Sequence, residues 1–70
     1  MSNPRITWLT GHARRLAADP EALGVFVADM RREHSDPAIV ALLDRLEMAA
    51  DDDAVRQVCD ETDKANGGAA

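Results

Sequence analysis

Aromatic side chains are nearly missing from this 70-residue chain, which has one Trp, one Phe and no Tyr. Large residues of other kinds are also few, because 13 of its hydrophobic positions are alanine. A domain this small buries only about 60% of the surface its unfolded chain exposes. The core must therefore be thin, and a fifth helix would have nothing to bury. Cysteine occurs once, at Cys59, which excludes an internal disulfide and a zinc site of the finger or ribbon type. A reducing compartment follows, and with it an expected cytoplasmic location. No run of about 18 apolar residues is present, and the first residues lack a basic segment followed by an apolar stretch. Neither membrane spanning nor export is expected. β-branched residues never alternate with polar ones over a strand's length, so no strand is expected either.

Clustered positive charge is missing too. The formal net charge is −5, and it resides in residues 35–70, where three bases face nine acids, whereas residues 1–34 carry five bases and four acids. Phosphate binding needs several Lys or Arg on one surface, so nucleic acid is an unfavoured partner and an anionic membrane is repelled. A basic protein suits the acidic half better.

What the chain does contain is helix punctuation. Asn3-Pro4, Asp19-Pro20 and Asp36-Pro37 each pair an N-cap residue with a proline at the first helical position, where its missing N–H costs no hydrogen bond. Helix 1 is expected over residues 4 to about 17, with Ile6, Leu9, Ala13, Leu16 and Ala17 as its apolar stripe. Gly11 marks a place where it can bend. Helix 2 occupies most of residues 19–35, with Ala22, Leu23, Phe26, Val27 and Met30 on one face. Helix 3 covers residues 38–49, with Ile39, Leu42, Leu43 and Leu46 inward. Helix 4 starts at Asp51-Asp52-Asp53 and ends near Ala65, turning Val55, Val58, Cys59 and Thr62 to the core. Its other side bears Asp52, Arg56, Asp60 and Lys64 with alternating sign at i, i+4, a pattern that belongs in water. These elements predict an all-α, compact four-helix bundle with short connections over residues 1–66, followed by a flexible tail at 67–70.

The residues with chemical potential have ordinary roles available. The triple acid Asp51-Asp52-Asp53 suits a hard cation, but acids at a helix N-terminus cap free N–H groups and complement the macrodipole, and capping is the stronger reading. Arg14-Arg15 and Arg31-Arg32 fall in last turns, where positive charge is favourable. Read as a patch, Arg5, Arg14, Arg15, Arg31 and Arg32 would bind nucleic acid, which Asp29 and Glu33 oppose. His12, His34 and Cys59 invite a nucleophile–base pairing, but Cys59 lies on the apolar stripe of helix 4 and His34 sits at a helix end, so structural roles are expected. Trp8 is the least settled residue. It falls nearly opposite the helix 1 stripe and shares its side with His12 and Arg15. Burial in a second pocket of the core is favoured over exposure; an exposed Trp8 flanked by His12 and Arg15 would be an interface anchor.

Several short stretches then resemble a family. Trp8-Leu9, the acidic start and Phe26-Val27-Ala28 core of helix 2, the link His34-Ser35-Asp36-Pro37, and Leu43-Asp44-Arg45-Leu46-Glu47 resemble the YozE-type SAM-like domains, small bacterial four-helix proteins, over residues 7 to about 66. Two departures stand out. Helix 4 has no aromatic in Val58-Cys59-Asp60-Glu61-Thr62, where that family usually carries one, and the link between helices 2 and 3 is shorter. The resemblance implies a SAM-like helical fold with Trp8 and Phe26 in the core and no catalytic residues. Such folds often serve as protein-interaction or nucleic-acid-binding modules.

The expected function is a non-catalytic module for protein–protein interaction, with no cofactor and no metal, acting as a monomer or weak homodimer. Its candidate interface is Trp8, His12 and Arg15 on helix 1 and Asp51, Asp52 and Asp53 on the acidic half. The alternative is nucleic-acid binding through the five arginines.

Overall fold

A computed structural model describes residues 3–67. The order is α1 (Pro4–Leu16), α2 (Pro20–Glu33), α3 (Pro37–Met48) and α4 (Asp52–Gly67). Every helix starts on the cap its sequence supplies. The Asn3 side chain accepts the Arg5 N–H at 3.0 Å, Asp19 that of Ala22 at 3.1 Å, Asp36 that of Ala38 at 2.9 Å, and Asp51 that of Ala54 at 2.8 Å. Each such cap is worth about 1 kcal/mol. Capping is thus one role of the triple acid, performed by its first member.

Helix ends differ modestly from expectation. α1 runs through Gly11 without a break. α2 stops at Glu33 because His34 is extended, and α4 continues through Asn66 to Gly67. Among the described residues none has a positive φ, so α1, α2 and α3 end without a left-handed residue. The rest of the expected tail, 68–70, lies outside the described residues.

Packing follows the apolar stripes. Leu9 and Ala13 of α1, Leu23, Phe26, Val27 and Met30 of α2, Ile39, Leu42, Leu43 and Leu46 of α3, and Val55 and Cys59 of α4 form one buried cluster. Leu16, Val58 and Ala49 lie half-buried at its margin. The most extensive contact joins the first helix to the last, with α2 on α3 next. Alanine at position 13 is fully buried, and so short a side chain lets helices approach closely.

Polar contacts set the α1–α4 register. Asn3 N–H donates to Asn66 Oδ1 at 2.9 Å, and Asn66 Nδ2 donates back to the Asn3 carbonyl at 3.1 Å. Further along, Thr10 Oγ1 lies 2.5 Å from Asp63 Oδ1, and Arg14 reaches Asp63 at 2.7 Å and Asp60 at 2.8 Å. Numbers rise along α1 as they fall along α4, so the two are antiparallel. Arg31 ties α2 to Asp44 and Glu47 of α3, and Arg45 ties α3 to Glu61 of α4. Among the described residues no helix is long and apolar enough to cross a membrane.

Candidate functional site

Trp8 stands on the side of α1 that looks toward α2. Its ring is stacked on that of His12, with centroids 5.2 Å apart and planes at 22°, and tilts onto Phe26 at 6.0 Å. His12 meets Phe26 at 4.5 Å, which makes a three-ring cluster. The i, i+4 spacing places Trp8 and His12 one above the other, and Phe26 reaches them from α2. Phe26 is 7% exposed, but Trp8 is 56% exposed. The favoured expectation that Trp8 is buried is therefore corrected, together with the core role implied for it by the YozE-type resemblance; Phe26 is the core member of the pair. The physical reason is the narrow α1–α2 contact: Phe26 and His12 lie against the indole and leave more than half of it to solvent.

Two shallow hollows share Trp8 as a wall. One, of about 520 Å³, is completed by Pro4, Arg5, Leu9, Glu33 and His34. The other, of about 250 Å³, is completed by Thr7, Gly11, His12 and Arg15. Trp8, His12 and Arg15 are thus brought together as anticipated. Among the described residues neither Arg5 nor Arg15 makes an ion pair, so the indole is flanked by two uncommitted cations. Gly11 adds open space: a Cβ built there meets nothing within 4 Å.

The acidic members of the candidate interface lie elsewhere. Asp51 and Asp52 border a separate trough between the α1–α2 and α3–α4 corners, and Asp53 is exposed in the first turn of α4. Among the described residues, neither hollow at Trp8 is lined by any of these acids, and the trough at Asp51 and Asp52 does not reach Trp8. Asp52 pairs with Arg56 at 2.6 Å, within its own helix, and this carboxylate favours the charged Arg56 guanidinium. Among the described residues no three His, Cys, Asp or Glu side chains converge as metal ligands.

Two of the five arginines are occupied by carboxylates. Arg14 is committed to Asp60 and Asp63 and Arg31 to Asp44 and Glu47; these hydrogen bonds raise both guanidinium pKa values. Arg5, Arg15 and Arg32 remain exposed. Asp60 lies on the exposed face of α4 expected for it and takes Arg14 of α1 there.

Cys59 is fully buried, and burial pushes its thiol pKa up, with Asp63 and Asp60 adding to the rise against Arg14. A nucleophilic thiol needs the opposite shift. His12 is engaged by aromatic rings, and His34 is the C-cap of α2, its N–H on the Met30 carbonyl at 2.9 Å.

Sequence reasoning missed three features. Thr10, the buried polar residue of the core, is satisfied by the Thr7 carbonyl and Asp63. Asn66 is an α1–α4 tie. The trough beside Gly24 exists only because two loops meet in space. A threonine next to the α1 stripe was the one readable signal among them. No protein-family model, curated protein or solved structure matches the chain.

Proposed function

We propose that this chain is a non-catalytic helical module that binds a protein partner through the α1 face centred on Trp8. The observation that carries the reading is an indole more than half exposed and yet held in place by His12 and Phe26. A preformed aromatic loses little side-chain entropy on binding, and Trp and Arg are the side chains that dominate interface energetics. Arg5 and Arg15, free of ion pairs among the described residues, set the charge of the rim. Kinship with the YozE-type SAM-like domains, cytoplasmic residence and a monomeric or weakly dimeric state belong to the same proposal, supported by the four-helix architecture and the buried unpaired thiol.

The nucleic-acid alternative has less support, because two of its five arginines are occupied by carboxylates and the chain is acidic. Parallel capture from native cell extract with the wild-type protein, Trp8→Ala and the triple change Asp51→Asn, Asp52→Asn and Asp53→Asn tests the reading. A protein retained by the wild type and by the triple variant but lost with Trp8→Ala is expected. Retention by Trp8→Ala rejects the Trp8 face, and a nuclease-sensitive catch favours the alternative.

A further inference from the structure

The trough between the α1–α2 and α3–α4 corners has a volume of about 430 Å³, inside the range of about 300–1,000 Å³ typical of small-molecule sites. Its floor is the outer edge of the core at Leu23, Val27, Leu46 and Val55. Its charged lining is Glu47, Asp51 and Asp52, without a single base. Glu47 and Asp52 each have one arginine to answer, whereas Asp51 uses one oxygen to cap Ala54 and has its second free of hydrogen bonds among the described residues.

Gly24 opens this trough. It lies in the middle of α2, where glycine costs about 1 kcal/mol relative to alanine. A Cβ built on it meets nothing within 4 Å, and its φ is not positive, so neither internal packing nor backbone geometry calls for glycine. Glycine there leaves the α2 wall of the trough without a side chain.

We propose that this trough docks a basic amphipathic segment of a partner protein. One apolar side chain sits over Val27 and Leu46, and flanking Lys or Arg meets Asp51, Asp52 and Glu47. Charge complementarity selects the occupant: the lining has three carboxylates and no base, Asp51 has no ion pair among the described residues, and the chain's net charge is −5. The site is separate from the Trp8 face, so failure of one leaves the other standing.

The test is a titration of the ¹⁵N-labelled full chain with a synthetic helical peptide bearing leucine on one face and arginine beside it, and with the same peptide carrying glutamate for arginine. The arginine peptide should shift the amides of Leu23, Val27, Leu46 and Val55, and the glutamate peptide should not. Gly24→Leu fills the trough from an exposed helical position and retains the fold, which its own spectrum verifies; its affinity should fall by about tenfold. Asp51→Asn preserves the cap but removes the charge, and combined with Asp52→Asn should weaken binding severalfold, whereas Trp8→Ala should bind as the wild type does. Unmoved trough amides, equal binding of the glutamate peptide, undiminished binding to Gly24→Leu, or loss with Trp8→Ala would each overturn the proposal.

Discussion

Thr10 of α1 and Asp63 of α4, 53 positions apart in the chain, meet with 2.5 Å between hydroxyl and carboxylate oxygens. Asp63 also takes Arg14 at 2.7 Å, so one acid joins two successive turns of α1 to α4. Thr10 is completely buried and the carboxylate only partly, which makes the hydroxyl the member that cannot turn to water. Thr10→Val removes the donor at nearly constant shape and should cost about 1 kcal/mol. That loss lowers the melting temperature of a domain this size by about 4–8 °C. The i, i+4 pair Asp52–Arg56 is exposed, and Arg56→Ala should shift melting far less.

The two interior glycines give an effect of the opposite sign. Beyond the adjoining residues and the backbone of their own helix, neither Gly11 nor Gly24 has an atom within 4 Å of where a Cβ would stand, and neither has a positive φ. Gly11→Ala and Gly24→Ala should each stabilise by about 0.5–1 kcal/mol through helix propensity. Chemical denaturation should show a raised midpoint with an unchanged slope. A destabilised alanine variant would mean that the helix at that position is tighter than described.

Cys59 links stability to alkaline pH. Burial raises the folded-state pKa of its thiol above the unfolded value of about 8.5, so the native state holds this proton more tightly than the unfolded chain. The contribution is complete below the unfolded pKa and is lost as pH rises through the folded one. The chain has no tyrosine, and Lys64 is its only lysine, so few other groups titrate between pH 8 and 10. Denaturation midpoints should decline across that interval for the wild type and stay flatter for Cys59→Ala, whatever its starting stability. Slow reaction of the native thiol with a disulfide reagent, and rapid reaction in denaturant, should accompany this.

A single tryptophan makes its environment directly readable. With 56% of Trp8 exposed, emission should be red-shifted, quenchable by acrylamide and independent of protein concentration. Blue-shifted emission that appears only at high concentration would place Trp8 in a self-association contact.

Much of the fold was legible because its signals are local. Asn3-Pro4, Asp19-Pro20 and Asp36-Pro37 combine cap and proline within two residues, and the structure starts helices at all three. The core stripes follow from 3.6-residue periodicity, and the buried members of α2 and α3 are the anticipated ones. Trp8 was not legible. Its side of α1 was clear, but its exposure depends on how much of α2 lies beside it, and the partial cover provided by Phe26 is a property of helix packing. Arg14 illustrates the same limit: a last-turn position explains its charge, whereas its carboxylates come from a helix 46 and 49 positions away. The trough at Gly24 combines two corners distant in sequence, so the glycine carried no meaning until they were placed together.

The central claim, that the α1 face around Trp8 is a binding surface, is tested most directly by photo-crosslinking in the native cell. A photoreactive amino acid is placed at exposed Arg15, beside the indole, and in a control at exposed Lys64 on α4. A discrete adduct is expected from position 15, absent from position 64 and lost when Trp8→Ala is added. Equal adducts from both positions, or an adduct at position 15 that survives Trp8→Ala, would contradict it.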